Sequence, residues 1–246
     1  MTAYALAVDT STRRVSVAVG TEAGVIAQTS AGGAGAVGPP RHVEQLAPAI
    51  EYVMDAASLS LRELSVVATC IGPGMFTGLR VGIVTATMLA DALEVPCVGA
   101  TSLELIADPI VERLALDSDA VVIPVMDARR AEVYYGAFSS DGSQLVAASI
   151  ATPDAVVVAL AALAQRASMM VFVGDGALRF REELSLVPGA EFASHSDASP
   201  DIVALLGRGV RGFLAGRGVG PDEIAPLYLR HSDAEINKNV VAGGRQ

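Results

Sequence analysis

Two stretches of the chain repeat the same order of apolar and polar positions. An apolar segment at 4–8 ends at Asp9, and a second apolar segment at 121–126 ends at Asp127. After each aspartate comes a turn and then a segment in which apolar residues alternate with small or polar ones, a pattern that predicts a half-buried strand. Asp127 follows Asp9 by 118 residues, and the alternating segments keep the same offset. The sequence therefore predicts two copies of one structural unit.

Helical patterns and a further strand follow in each copy. Residues 43–54 carry apolar side chains at helical spacing, and residues 152–154 (Thr-Pro-Asp) combine an N-cap residue with a proline at the first helical position. In each copy a buried strand then ends in a glycine pair, at 72–74 and at 174–176. Each half reads strand, strand, strand, helix, strand, helix. This order predicts an α/β fold of tandem duplicated ribonuclease-H-like halves, the plan of the actin, Hsp70 and sugar-kinase-like ATPases.

The repeat also predicts the domain boundaries. We expect a first half at 1–103 and a second, reduced half at 104–217. Segment 218–232 is expected to return to the first half, and 233–246 to form a flexible tail. The Gly-, Ala- and Pro-rich segment 31–40 is expected to be a mobile loop.

The first hairpin turn of each half is a candidate phosphate site, because nucleotides in this fold bind between the halves. The first turn offers a carboxylate for a metal-bound water and hydroxyls for phosphate, whereas the second, Asp-Ala-Arg-Arg at 127–130, lacks glycine and small hydroxyl residues. The alternative is that both are ordinary hairpin turns, in which Asp and Ser are common. Weak adenine nucleotide binding stays open, and no other cofactor is expected. The candidate residues of this degenerate cleft are Asp9, Thr10, Ser11, Thr12 and Asp127.

A glycine-rich loop joins a buried strand to a helix at 72–80. Backbone amides at such a helix start can cradle an anion; the alternative is a tight turn that lets Phe76 pack. The segment has no P-loop lysine, and it misses G-x-G-x-x-G by one position. The residues assigned to this structural loop are Gly72, Gly74, Phe76, Thr77, Gly78 and Arg80.

The helix predicted at 81–93 has Asp91 as its single charge. Such a helix is either fully enclosed or covered by a partner, and we favour a partner that also contacts the helix at 43–57. Small residues recur in it at i+4 and would allow close approach, so Ala86→Glu is expected to abolish association while the fold persists. Exposed, the two helices would form an apolar patch, and the chain alone is expected to form a homodimer. The partner-interface candidates are Val43, Leu46, Ile50, Gly82, Ala86, Met88, Leu89 and Ala90.

Composition narrows the classes of function. The formal net charge is −10, whereas a stand-alone nucleic-acid-binding protein is usually basic. Lys238 is the single lysine, which argues against lysine chemistry. The three histidines, His42, His195 and His231, have no partners at ligand spacing, so no metal site is expected.

The compartment follows from the cysteines and from the length of the apolar runs. Cys70 and Cys97 lie in apolar strand-like segments and suggest no disulfide framework. No uninterrupted apolar run reaches the roughly 18 to 20 residues of a membrane span, and the first residues do not resemble a signal peptide. We expect a cytoplasmic location and no membrane contact.

Together these residues resemble the TsaB (YeaZ) family, the bacterial partner protein in threonylcarbamoyladenosine synthesis, over nearly the whole chain. The resemblance is carried by Ala-Val-Asp-Thr-Ser-Thr at 7–12, by His42 in Arg-His-Val-Glu-Gln-Leu, and by the segment 72–82. Met-Asp-Ala-Arg at 126–129 and Pro-Leu-Tyr-Leu-Arg at 226–230 complete it.

The resemblance implies a non-catalytic scaffold or activator subunit. Its catalytic relative, TsaD, carries a metal-binding His-x-x-x-His and transfers threonylcarbamoyl to N6 of the adenosine next to the anticodon of tRNA (t6A formation). The histidine pair is missing from this sequence. The implied partners are a TsaD-like catalytic subunit and a TsaE-like ATPase, with tRNA met only through the complex. The alternative is a free-standing ATP-dependent kinase or ATPase of the actin-like class.

Overall fold

The computed structural model describes residues 2–33, 38–114, 119–194 and 198–230. His195, His231, the expected tail at 233–246 and the central part of the expected mobile loop lie outside these residues.

The first half is built on a five-stranded mixed sheet with the strand order β3-β2-β1-β4-β5. The first three strands are antiparallel, and β4 and β5 continue the sheet parallel to β1. The strands are β1 (Tyr4–Asp9), β2 (Arg14–Thr21), β3 (Gly24–Gly32), β4 (Leu64–Gly72) and β5 (Cys97–Thr101), and the helices are α1 (His42–Ala56), a 3-10 turn (Leu61–Glu63) and α2 (Phe76–Leu93).

A connecting helix, α3 (Ser102–Leu114), leads into the second half, which repeats the topology with the strand order β10-β9-β6-β7-β8. Three antiparallel strands are again continued by two parallel ones. The duplicated ribonuclease-H-like fold predicted from the sequence is therefore confirmed. The remaining elements are β6 (Ala120–Arg129), β7 (Glu132–Ser139), β8 (Gln144–Ala151), α4 (Pro153–Ala164), β9 (Met169–Val173), α5 (Asp175–Arg179), α6 (Arg181–Leu184), β10 (Ala190–Phe192), α7 (Ile202–Leu214) and a 3-10 turn (Pro221–Glu223).

Helix α7 lies inside the range 104–217 that we expected to form the second half, but it packs on the first sheet. Leu205 and Val210 belong to the buried cluster that contains Ala5 and Ala68 of β1 and β4. Central strands need cover on both faces; α1 packs against the other face through the cluster around Leu46. The expected boundary is corrected accordingly.

Helix α3 makes the complementary exchange, because it follows the first sheet and packs on the second. Leu103 and Ile110 share a buried cluster with Val122 of β6. An ion-pair network links the two exchanged helices: Arg208 of α7 donates from Nε to Asp108 Oδ2 at 2.5 Å and from a terminal nitrogen to Oδ1 at 2.8 Å. The two halves are thus joined by helices that each leave their own half.

Segment 218–230 runs along the first half. Cys97 and Val219 exchange two backbone hydrogen bonds of 2.9 Å, and Leu227 N–H donates to the Ile71 carbonyl at 2.7 Å. The segment ends at the second half, where Arg230 donates to the Ala128 carbonyl at 2.8 Å.

Helix α2 is 18 residues long, and it is the one helix among the described residues that is long and apolar enough to cross a membrane by length and composition alone. Two charged residues, Arg80 and Asp91, interrupt its apolar sequence. Its inner face packs inside the protein as the helix of a helix–sheet layer does: the buried residues are Gly78, Leu79, Gly82, Ile83, Ala86 and Ala90.

The small residues of α2 therefore do not form an external contact, which corrects the expected interface. Ala86 and Ala90 are fully buried and share a cluster with Val67 of β4. Gly82 is buried as well, as are the two α1 candidates Leu46 and Ile50. Small side chains at i+4 allow a helix to approach a sheet as closely as another helix. A glutamate at Ala86 would put a charge into this core, so that substitution tests folding rather than association.

The outer faces of α1 and α2 nevertheless carry exposed apolar side chains, which on α1 lie among the exposed carboxylates Glu44, Glu51 and Asp55. Val43 is 73% exposed, Val84 52% and Met88 67%, and Leu89 is half-buried. Tyr52 of α1 is also exposed. Two of the eight expected interface residues, Val43 and Met88, thus lie fully on the surface.

Substitution of Gly78 by alanine is expected to destabilise the fold. A Cβ at Gly78 would lie 2.2 Å from the backbone carbonyl oxygen of Thr10, which cannot rotate away. Overpacking of this kind costs about 1–3 kcal/mol, and urea denaturation measures it.

Gly207→Ala in α7 is the matched control. The added Cβ there meets only the end of the Arg211 side chain, so helix propensity should leave stability unchanged or raise it by up to about 1 kcal/mol. Equal stability of Gly78→Ala and the wild type would contradict the close packing of α2.

Candidate functional site

A cleft of about 1650 Å³ lies between the halves, and both hairpin turns reach it. Ser11 and Thr12 contribute from the first turn, and Asp127 and Arg129 from the second. The beginning of α7 and residues 227–230 also line it. The duplication thus brings the two predicted turns together, but Asp9 lies beneath the first turn and is 3% exposed.

The first turn is closed by the glycine-rich face of α2 and by the loop before it. Met75 N–H donates to the Ser11 carbonyl at 2.7 Å, and a Cβ at Gly74 would lie 2.3 Å from the same oxygen. The Thr10 hydroxyl donates to the Gly78 carbonyl at 2.7 Å. The hydroxyl of Thr10 and the peptide groups of the turn are therefore engaged by the chain itself.

Histidine 42, at the start of α1, holds the same turn from the other side. It is buried, and its Nε2 lies 2.7 Å from the Thr12 carbonyl oxygen. A Cβ at Gly78 would lie 2.9 Å from the imidazole ring. His42 thus has a structural position, between the first turn and α2.

The Asp9 carboxylate stabilises the turn from inside. Its Oδ1 accepts the Ser11 N–H at 2.8 Å. Burial raises the pKa of Asp9 above its ordinary value, although the hydrogen bond from the Ser11 N–H acts in the opposite direction. The Cys70 thiol lies beside it, and burial together with the Asp9 charge raises the pKa of Cys70. The Ser11 hydroxyl is buried and has no hydrogen-bond partner among the described residues.

The second turn is occupied by ion pairs. Asp127 Oδ2 lies 3.0 Å from a terminal nitrogen of Arg129 and 2.6 Å from one of Arg179, and its Oδ1 accepts the Arg129 N–H at 2.8 Å. Asp175 accepts the Asp127 N–H at 3.0 Å, and burial is the main cause that raises the pKa of Asp175.

The backbone of the second turn is unusual for its sequence. Arg129, Arg130 and Ala131 all have a left-handed conformation, with φ of +65°, +54° and +57°. Such a conformation is uncommon for residues other than glycine. The two bonds from Arg129 to Asp127 help to hold this conformation.

The glycine-rich loop forms a tight turn, as one of the two sequence interpretations proposed. Gly72 has φ of +98°, and Ser102 donates to the Pro73 carbonyl at 2.5 Å. Phe76 is not enclosed, however: it is 45% exposed, and Thr77 beside it is exposed as well.

An aromatic pair at the mouth of the cleft is the feature that sequence reasoning missed. The rings of Phe76 and Tyr228 are 5.0 Å apart. The Arg80 guanidinium lies 3.9 Å above the Phe76 ring, and its Nε donates to the Tyr228 hydroxyl at 3.2 Å. Tyr228 lies within the Pro-Leu-Tyr-Leu-Arg motif at 226–230, but the motif alone does not indicate its partner.

Positively charged side chains are concentrated along the cleft. Among the described residues that line it, seven are arginines and three are aspartates, whereas the whole chain has a net charge of −10. The arginine pairs at 13–14 and 129–130 occupy equivalent turns of the two halves, so the duplication brings both pairs to the same cleft. The lining arginines are Arg13, Arg14, Arg129, Arg130, Arg179, Arg181 and Arg230.

Within residues 2–33, 38–114, 119–194 and 198–230 no group of three or more His, Cys, Asp or Glu residues is arranged to hold a metal ion.

Comparison with known proteins gives a family match. The model of the family described as "TsaD: tRNA N6-adenosine threonylcarbamoyltransferase" matches residues 31–192. The tRNA threonylcarbamoyladenosine biosynthesis protein TsaB of Bacillus subtilis is 26% identical over 237 residues, covering 94% of this chain and 95% of that protein. An uncharacterised Mycobacterium leprae protein is 37% identical over 115 residues, which are 47% of this chain but only 30% of that protein.

Solved structures agree with the topology. YeaZ from Pseudomonas aeruginosa superposes with a TM-score of 0.73 at 27% identity, covering 92% of this chain and all of that one. A ROK hexokinase from Thermus thermophilus reaches a TM-score of 0.50 at 12% identity, covering 88% of this chain and all of that one. The hexokinase indicates the fold alone.

Replacement of the buried Asp9 by asparagine should become more favourable as the pH rises. The amide can still accept the Ser11 N–H, but it avoids the cost of a buried charge. Because burial raises the folded-state pKa of Asp9, the unfolded wild type releases this proton first, and the wild type loses stability above about pH 4. The free energy of unfolding of Asp9→Asn relative to the wild type should therefore increase between about pH 4 and pH 7.

Urea denaturation across that range measures the difference, and Asp55→Asn on the exposed side of α1 controls for the loss of a surface charge. A relative stability of Asp9→Asn that falls with rising pH would show that the carboxylate is stabilised in its charged form.

Proposed function

The chain belongs to the TsaD family of tRNA N6-adenosine threonylcarbamoyltransferases, and from this premise we propose that it is a TsaB (YeaZ)-type, non-catalytic subunit of the assembly that forms t6A. Its role is to support transfer of threonylcarbamoyl to N6 of the adenosine next to the anticodon. The observation that carries the proposal is the closed first turn, in which the Thr10 hydroxyl donates to Gly78 of α2 and the Ser11 carbonyl accepts from Met75 just before the helix.

The same observation argues against the free-standing kinase or ATPase. Phosphoryl transfer depends on donors and a metal-holding carboxylate positioned around the phosphates. Here the Asp9 carboxylate is buried beneath the turn, and Asp127 is engaged by two arginines. The fold of an actin-like ATPase is kept while both positions that would hold phosphate are occupied by the chain.

The outer faces of α1 and α2 fit the partner-binding role. Val43, Val84 and Met88 expose more than half of their surface, and apolar side chains clustered at a surface mark interaction sites. The inner faces of both helices pack on the first sheet, that of α2 through its buried residues and that of α1 through Leu46. We assign this outer surface to a TsaD-like catalytic subunit, with a homodimer through the same surface when the chain is alone.

The rest of the assembly follows from this role. A TsaE-like ATPase joins the complex of the two related subunits, and tRNA is bound by the assembly. All of these components work in the cytoplasm, where tRNA is modified.

Charge substitutions on the outer face of α2 should abolish partner binding without unfolding the chain. Val84→Glu and Met88→Glu each place a carboxylate in the contact, where an unpaired charge costs about 3–5 kcal/mol. This corresponds to a loss of affinity of roughly a hundredfold or more. Pull-down with a TsaD-like subunit, sedimentation of the chain alone and t6A formation in the reconstituted assembly measure the three consequences.

Val158→Glu is the control, since Val158 is a valine on α4 of the second half that is also more than half exposed. It should retain the partner, the homodimer and the activity. Should Val84→Glu and Met88→Glu behave like this control, the partner surface lies elsewhere.

The purified chain should neither hydrolyse ATP nor modify tRNA when it is assayed alone, because the Asp9 carboxylate is buried and Asp127 is paired with two arginines, so neither turn offers a free carboxylate to hold a nucleotide-bound metal ion. Nucleotide hydrolysis is measured by phosphate release, and Asp9→Asn serves as the companion variant. Turnover by the wild type that disappears in Asp9→Asn would favour the kinase or ATPase.

A further inference from the structure

The cleft between the halves has a charge opposite to that of the chain. Seven of the 16 arginines of the sequence line it, against three aspartates, which gives the described lining an excess of four positive charges. Three of these arginines are paired within the protein. Arg129 and Arg179 share Asp127, and Arg230 bonds to Ala128 and Glu132. Arg14 and Arg181 are not among these, and their charge needs another explanation.

Arg14 and Arg181 face the cleft from opposite halves, and neither pairs with a carboxylate of any described residue. Both side chains are exposed, yet both are supported from behind. Arg14 lies against Gly33, where a Cβ would come within 3.2 Å of its Nε. The Arg181 guanidinium lies 4.5 Å from the ring centre of Phe192. Two guanidinium groups are thus held at the cleft with their charge available to a ligand.

The size and the aromatic lining of the cleft indicate which kind of anion fits. Pockets for small molecules usually have volumes of about 300–1,000 Å³, and this cleft is larger, at about 1650 Å³. Phe76 and Tyr228 line it and expose 45% and 42% of their surface. Proteins that bind single-stranded nucleic acid combine arginines that contact the phosphate backbone with aromatic rings on which bases stack.

We propose that this cleft binds a single-stranded stretch of RNA, with Arg14 and Arg181 on backbone phosphates and the aromatic pair against a base. The inference rests on the proposed function, because the anticodon loop is the single-stranded RNA that the t6A-forming assembly handles. It assigns tRNA contacts to this chain itself, where the acidic composition had suggested contacts only through other subunits.

The net charge of −10 does not oppose local binding. At physiological ionic strength charges farther apart than about 8 Å are largely screened, and a concave site concentrates the field of the charges that line it. A phosphate inside the cleft therefore interacts mainly with the arginines. The acidic remainder of the surface weakens non-specific binding to RNA elsewhere on the chain.

Charge reversal of the two arginines tests the proposal. Fluorescence anisotropy of a labelled tRNA anticodon stem-loop measures binding to the full-length wild type, to Arg14→Glu/Arg181→Glu, and to Arg62→Glu as a control at an exposed arginine outside the cleft. The double variant should bind at least about tenfold more weakly, and its dependence of log affinity on log salt should be shallower by about 0.7 for each lost phosphate contact. Arg62→Glu should bind like the wild type.

Two further probes separate the alternatives. A fully paired RNA duplex of the same length should bind more weakly than the stem-loop, and Tyr228→Ala should weaken stem-loop binding without a change in salt dependence. Equal affinity of wild type and double variant, or equal affinity for duplex and stem-loop, would overturn the proposal. So would binding of ATP, but not of the stem-loop, that depends on Arg14 and Arg181.

The proposed function is tested by a separate experiment, which measures t6A formation in the reconstituted assembly. If the wild-type chain supports t6A formation but does not bind the stem-loop, the RNA site fails and the function stands. If the wild-type chain binds the stem-loop through the two arginines but does not support t6A formation, the function fails and the RNA site stands.

Discussion

The close contact between the glycine-bearing face of α2 and the turn after β1 determines most of what this protein can do. With no side chain at Gly74 and Gly78, the helix start and its preceding loop approach the backbone of Thr10 and Ser11 so closely that a methyl group would not fit. This contact engages the Thr10 hydroxyl and the Ser11 carbonyl in the first turn, which the sequence marked as a candidate phosphate site. It also fixes the orientation of α2, so that the outer apolar side of the helix faces solvent and Phe76 reaches the mouth of the cleft. The closed first turn and the exposed outer side of α2 therefore have the same cause.

The fold could be predicted from the sequence because its evidence is local and repeated. Period-two alternation, the aspartate at the end of a strand and the offset of 118 residues between Asp9 and Asp127 each need only short stretches of chain. The faces of the helices could not be predicted in the same way. Small residues at i+4, such as Gly82 and Ala86, suit a contact with a sheet as well as one with a helix. The sequence pattern is the same in both cases and does not distinguish them. The apolar stripe of α7 likewise predicts a buried face without saying which of two sheets it covers.

The site was predictable in location but not in chemistry. Both turns reach one cleft, as the duplicated plan requires, and the residues at their ends were found from the pattern alone. Whether Asp9 faces solvent depends on how closely α2 approaches the first turn. That distance is set by the assembled structure and cannot be read from a sequence pattern. The ion pairs of Asp127 involve Arg179, 52 residues away, and the pairing of Phe76 with Tyr228 spans a still longer separation. Contacts of this kind arise only when the elements are assembled, so no single motif carries them.

The exchange of α3 and α7 has a consequence for the order in which the molecule can become complete during synthesis. Strands β1 and β4 are covered on one face by helix α7, which begins 101 residues after β5 ends, from Thr101 to Ile202. A growing chain that has already released the first five strands still exposes one apolar side of their sheet until the whole second half has followed. Domains that emerge from the ribosome usually fold as units in order, but here the earlier half has to wait for the later one. The first half can therefore reach its final packing only after residues 202–214 have been synthesised.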